Sequence, residues 1–459
     1  MKNFSLIPIL LIGSLLFLSC EKQYEWLDIK NNKNLVVPET LQDFQAILDN
    51  SNIMNRYFST PGLVGADNVY VTDNNYPTLQ ETERNLYIWA YEIWADGTSA
   101  PWTNLYSIVG YANLVLDGLK KIDESGAQYA NLEGQAYFYR AYAFYILAQL
   151  FCKPYDDNTA NSLGLPLRLT ADINVIEERA SLAQTYEQIL ADAQASATLL
   201  STEQTYLLRP SKAAAFGLLA KTYLLMGNYR EALRYADEAL QLHPALLNFN
   251  SDLVQPNTTY RFPTLGVNNP EIMFYAEAIS YQSIRPVTSS TGNVDTLLYG
   301  QYAPDDLRKS TFYMTIANAQ KFMGAYTGSF ANFTGIASNE IYLIRAECYA
   351  RLDRLEEGLN DLNLLLLNRY KNGMLVPFQI DNKEVLLTTI LNERRKELPF
   401  TANLRWEDLR RLNKEPLYRQ TIRRRVNGVE YVLEPNSARF VLPVPNQEIE
   451  LSGISQNER

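Results

Sequence analysis

Imidazole is almost missing from this chain: His243 is the only histidine in 459 residues. Zinc sites, Ser-His-Asp triads and Cys-His pairs all depend on that ring as ligand or base, so the sequence offers nothing to build them from. Cysteine is nearly as scarce, with three residues. Cys152 and Cys348 sit in "LAQLFC" and "RAECYA" and read as small buried side chains rather than a disulfide framework. Positive charge is in deficit as well. The 41 Lys and Arg against 51 Asp and Glu leave a net charge of −10, which argues against nucleic acid or an anionic lipid surface as the main partner. Beyond the N-terminus, no apolar run reaches the ~20 residues that a membrane-spanning helix needs.

The N-terminus is the exception to that polarity. Lys2 precedes an almost uninterrupted apolar stretch over 4–18, a length suited to a signal h-region. Ser19 then supplies the small residue before Cys20. A cysteine at this place marks a lipobox, although Phe17 and Leu18 replace its usual leucine and small residue. One reading is a plain secretory signal with a chance cysteine; the favoured one is acylation of Cys20, because several acyl chains tether a protein firmly. The expected division is a signal peptide over 1–19 and a lipidated tether over 20–37.

Helical periodicity dominates 38–244. "PETLQDFQAILDN" has a cap at Thr40 and apolar residues Leu41, Phe44, Ile47 and Leu48 at helical spacing. Helices are expected at 102–122, 132–151 and 182–200. "FGLLAKTYLLMGNYREALRYADEALQLHP" (216–244) has tetratricopeptide spacing, with Ala220, Ala232 and Ala239 small enough for two helices to approach closely. "IYLIRAECYARLDRLEEGLNDLNLLL" (341–366) is a weaker copy, with Gly358 where alanine is usual. Such pairs cannot bury their faces alone, so about four repeats in one stack are expected. The expected fold is therefore all-α dominated: a tetratricopeptide-like α-solenoid with an irregular insert and a small C-terminal β-hairpin.

The insert spans 245–335, where Pro, Gly, Asn, Ser and Thr rise and periodicity is lost. A structureless loop of that length is improbable in a compact body, so short elements laid on the solenoid are expected. A second irregular stretch, 74–102, is rich in aromatics. In "RRRVNGVEYVL" (423–433), Asn427-Gly428 suits a type I′ hairpin turn.

"NERRKELPFTANLRWEDLRR" (392–411) is the most specific stretch. It resembles the C-terminal signature of the SusD/RagB family of outer-membrane nutrient-binding lipoproteins, roughly ERRxELxFEgxRwxDLrR. Glu393, Arg394, Arg395, Glu397, Leu398, Phe400, Arg405, Trp406, Asp408, Leu409 and Arg410 match; Pro399 and Thr401 depart. Trp102, Tyr106, Ile108, Ala112 and Asn113 resemble the family's first helix block. Further blocks at 134–155, 209–229, 344–352 and 439–457 follow in family order. The C-terminal region is taken as 336–459.

The resemblance implies a binding subunit rather than an enzyme. It would sit over a TonB-dependent (SusC-like) transporter at the outer face of the outer membrane and capture an oligosaccharide or a peptide. No cofactor, metal or catalytic residue is implied. Glu393 and Glu397 lie one helical turn apart like a glycosidase pair, but the surrounding arginines favour a structural ion-pair network with Arg394, Arg405 and Asp408, and Trp406 of the same signature reads as core. In the family the ligand site is built from loops of the two irregular regions. The candidates are therefore the aromatics there that lack a packing reason: Tyr76, Trp89, Trp94, Tyr281, Tyr299 and Tyr326, with Asp67 and Arg84 as polar partners. "DNVYVTDNN" (67–75) and "YDDN" (155–158) read as solvated turns before they read as calcium loops. The competing function is a tetratricopeptide scaffold lipoprotein for protein assembly in the envelope; the insert and the signature argue against it.

Overall fold

Reciprocal caps start two of the helices. In the computed structural model Thr40 Oγ1 accepts from Asp43 N at 3.2 Å while Asp43 Oδ2 accepts from Thr40 N at 3.0 Å. Ser181 and Gln184 repeat the arrangement, so two donors that a helix start leaves open are satisfied at each place. The structure describes residues 38–202, 206–278 and 281–459; the expected signal and tether, with Cys20, lie outside them.

The helices that build the body are α1 (Leu41–Leu48), α2 (Ala100–Leu119), α3 (Ala127–Phe151), α4 (Leu182–Leu199), α5 (Lys212–Leu225), α6 (Tyr229–Leu242), α7 (Ser338–Arg351), α8 (Leu355–Leu367), α9 (Lys383–Glu397) and α10 (Leu404–Leu412). From α2 to α8 each packs on the next in the chain, and α9 returns against α7 and α8. That succession is the stacked-pair architecture the spacing predicts. Among the described residues no helix is long and apolar enough to cross a membrane.

Small residues set the spacing of the stack. Ala220, Ala232, Ala236 and Ala239 are fully buried where α5 meets α6. α6 ends at Leu242, and His243 before Pro244 has left helical geometry, as the residue preceding proline tends to. Gly358 also has a physical reason: a Cβ there would lie 2.9 Å from the Ala346 carbonyl oxygen. Alanine would push α8 away from α7. Cys152 and Cys348 are free and buried.

The insert resolves into short elements. Strand Ile272–Phe274 pairs with Ile336–Ala337, Glu277–Ala278 with Asn332–Phe333, and Tyr313–Ile316 with Ala319–Phe322. Gly292–Val294 reaches out of the insert to pair with Val69–Val71. The C-terminal hairpin joins Ile422–Val426 to Val429–Leu433. Its turn residues Asn427 and Gly428 both have positive φ, 50° and 82°, as a type I′ turn requires.

The signature forms the seam of the molecule. Arg308, fully buried, bonds Asp306 and Glu393 at 2.7 Å and Glu397 at 3.1 Å. Arg369 bonds Glu271 at 2.6 Å and Glu397 at 2.8 Å. Arg394 joins Asp408 and Glu340, Glu340 joins Lys221, and Arg411 joins Glu347 and Asp408. α9 and α10 are thereby tied to α5, α7, the end of α8 and the insert. Burial alone would raise the Glu397 pKa, but Arg369 and Arg308 beside it hold it below the usual value. Glu397 therefore stays an ionised partner and is not poised as a general acid.

Candidate functional site

Two of the expected candidates are packing residues. Trp89 is 2% exposed, donates Nε1–H to the Gly65 carbonyl at 2.9 Å and stacks under Arg424. Its φ of 54° is unusual for so large a side chain and is held by those contacts. Trp94 is 8% exposed, bonds the Pro443 carbonyl at 2.7 Å and packs 6.2 Å from Phe151. Neither presents a free ring face. The sequence shows an irregular stretch, but irregular backbone does not mean exposed side chains.

Tyr326 is a third correction. It is 6% exposed, lies against Phe262 and Phe333, and donates its hydroxyl to Glu271 at 2.6 Å. Asp67 is committed too: Arg405 grips both its oxygens at 2.6 and 2.7 Å, and Arg395 lies at 3.2 Å. Burial opposes ionisation there, yet the two guanidinium groups hold the carboxyl far below its usual pKa. Arg84 bonds the Leu79 carbonyl at 2.6 Å and closes its own loop. Tyr76 and Tyr281 are half-buried against the core; Tyr76 lies 6.0 Å from Tyr87. Trp406 is buried against Phe440.

The structure does bring the two irregular regions together. Besides the Val69–Val71 pairing, Glu83 accepts from Ser283 N at 2.7 Å, Ser283 Oγ at 2.6 Å and Gln282 N at 3.0 Å. Asn75 bonds the Thr291 carbonyl at 2.8 Å. Two clefts flank the short helix Thr296–Gly300 that follows this seam. One, of about 480 Å³, runs between 67–71 and the C-terminal hairpin and includes Asp67, Tyr70, Leu297, Arg395 and Arg425.

The larger cleft, about 600 Å³, is lined by the insert and by Lys371 and is the candidate site. Of the predicted residues it contains Tyr299 alone. Its near wall is the 256–261 loop, which Thr258 closes through Oγ1 to the Gln255 and Tyr260 carbonyls at 2.9 and 2.6 Å. Its far wall is the Tyr313–Phe322 hairpin, with Met314, Thr315 and Gln320. Tyr299 stands edge-on to Tyr313 at 5.6 Å, and Lys309 Nζ sits 5.1 Å from the Tyr299 ring centre. Hydroxyls, an amide and an aromatic ring at one open cleft suit a polyhydroxylated ligand. Arg261, Lys309, Thr315 and Gln320 escaped the sequence reading. Only their crowding within a Thr- and Asn-rich insert hinted at them.

Among the described residues no group of three or more His, Cys, Asp or Glu gathers to hold a metal ion. In the two runs weighed for calcium, Asp73 accepts from Asn427 N at 2.8 Å and Asp156 faces Lys414 at 3.2 Å.

A helical-repeat scaffold that carries an open cleft on an irregular insert is one class of binding protein, and comparisons place this chain within it. A family model described as "Starch-binding associating with outer membrane" matches 25–224, and one described as "SusD family" matches 289–458. The chain belongs to the SusD/RagB family. A Bacteroides vulgatus protein named as a candidate sugar binder superposes with a TM-score of 0.74 at 21% identity, over 92% of this chain and 99% of that one. A SusD superfamily protein of Bacteroides thetaiotaomicron gives 0.70 at 21% identity, over 92% and 100%. At those identities the likeness concerns the fold. A SusD-like protein of Formosa agariphila is 32% identical over 142 residues, which are 31% of this chain and 26% of that protein. The match thus spans about a quarter of that relative's length.

Proposed function

We propose that this chain is a lipid-anchored protein of the outer cell surface that captures an oligosaccharide in the 600 Å³ cleft and passes it to a TonB-dependent transporter. It performs no chemistry of its own. The observation that carries the reading is the cleft itself: an open groove lined by the 256–261 loop, the Tyr313–Phe322 hairpin and Tyr299, with hydroxyl and amide groups from both the loop and the hairpin. The family's outer-membrane, carbohydrate-binding character supports it. The paired acids of the signature support the non-enzymatic part, since Glu393 and Glu397 are both engaged by Arg308.

A glycan array beside a peptide library tests the ligand class. The expected result is saccharide binding that Tyr299→Ala weakens about tenfold, equivalent to ~1.4 kcal/mol. Peptide binding alone overturns the saccharide assignment. Cys20→Ala tests the anchor: the variant should leave the membrane fraction in cells lacking the transporter, and retention there counts against acylation.

A further inference from the structure

Building on the proposal that the insert cleft takes a saccharide, we infer that the saccharide is acidic and that Arg261, with Lys309, receives its carboxylate or sulfate ester. Arg261 is 4% exposed and lines the cleft. Its Nη1 donates to the Thr258 carbonyl, while Nε has no partner. Among the described residues no carboxylate pairs with it, and burial pushes its pKa down without any acid to oppose the shift. Lys309 is similar: its ammonium bonds the Tyr302 carbonyl at 3.1 Å and lies against the Tyr299 ring. The other charges of the cleft are spoken for. Among the described residues Asp306 is the single carboxylate along it, and it is held by Arg308 at 2.7 Å and Lys396 at 3.5 Å. Lys371 pairs with Asp305 at 2.9 Å.

Two cations without counter-charge in one cleft of a chain of net charge −10 need an explanation. A buried guanidinium with an unmade hydrogen bond is costly. Arg424 shows the structural way to avoid that cost without an acid: its guanidinium bonds the Tyr87, Val64 and Ala66 carbonyls and stacks on Tyr87 and Trp89. Arg261 has no such set. An incoming oxyanion would supply both the missing acceptor and the counter-charge, and a planar guanidinium suits carboxylate and sulfate alike. The neighbouring Thr258, Thr315 and Gln320 can then meet the sugar hydroxyls.

The test is calorimetric titration of the whole protein with three probes: oligogalacturonides for the carboxylate, carrageenan oligosaccharides for the sulfate, and maltooligosaccharides as neutral controls. At least one acidic probe should bind tenfold or more tightly than the neutral one, and which one it is names the anion. Its affinity should fall as salt rises to about 0.5 M. Arg261→Gln and Lys309→Met should each weaken it at least tenfold, with melting temperature as the folding control. Lys309→Met decides the matter should Arg261→Gln fail to fold. Neutral saccharide bound as tightly as acidic, with both variants unchanged, overturns the inference and leaves the proposed function standing. Binding of no saccharide at all, with peptide bound instead, overturns the proposed function itself.

Discussion

Arg261 and Arg308 are both buried in the insert, yet only Arg308 has acids to face. Arg308 contacts three carboxylates, and with Arg369, Arg394 and Arg411 it belongs to a lattice in which acids and arginines alternate across helix boundaries. Arg261 has a backbone carbonyl and an unmade bond. The same residue type therefore does two different things, and its partners decide which. Where charges are mutually satisfied, the region is an internal fastening. Where they are left open at a cleft, the region is set up to receive something. The aromatics divide the same way: Trp94 is closed in by Phe151 and the Pro443 carbonyl, whereas Tyr299 remains along an open groove.

Breaking the fastened region should have the largest consequence. Arg369→Met leaves the buried Glu271 without a cation and Glu397 with Arg308 alone, and should cost about 3–5 kcal/mol in chemical denaturation. A loss below about 1 kcal/mol would show that the lattice contributes little and blur the contrast with Arg261. Trp94→Ala removes a buried ring and should cost a similar ~3–5 kcal/mol. Ligand affinity of the folded fraction should not change; a specific loss of affinity would return Trp94 to the site.

Acid should loosen the fastened region in a defined window. Burial would raise the Glu347 pKa, but Arg411 and Arg351 bring it down to about 2 from 4.5. A carboxylate depressed in the folded state adds stability above its unfolded pKa and loses it as pH falls toward the folded value. Stability should therefore decline between about pH 4.5 and 2, by up to roughly 3 kcal/mol from this one group. Glu347→Gln should flatten that part of the curve, and an unchanged slope would remove Glu347 from the account.

Packing without charge gives the next effect. Ala232→Leu overfills the contact between α5 and α6 and should cost about 1–3 kcal/mol by thermal melting. The smallest effect is expected at Arg423–Glu430, an exposed pair 3.5 Å apart on the hairpin. Replacing either by alanine should change stability by less than about 1 kcal/mol. A larger loss would mean that burial is not what separates the structural charges from the idle ones.

Short-range information carried most of the fold. Helix periodicity, the Thr40 cap, the small residues of α5 and α6 and the Asn427-Gly428 turn each act within a few residues, so each could be read directly along the chain. Ordered signature blocks were enough to identify the family, and the insert was recognisable by its loss of period. What sequence could not resolve was the environment of single side chains in irregular backbone. Trp89, Trp94, Tyr326 and Asp67 all lay in segments with exposed-loop composition. Their partners Gly65, Pro443, Glu271 and Arg405 are 24 to 349 residues away. Contacts at such separation exist only once the stack has closed, and no local pattern encodes them. The unpaired state of Arg261 was hidden for the same reason: a missing counter-charge is a property of everything that packs around a side chain, and tertiary structure alone decides it.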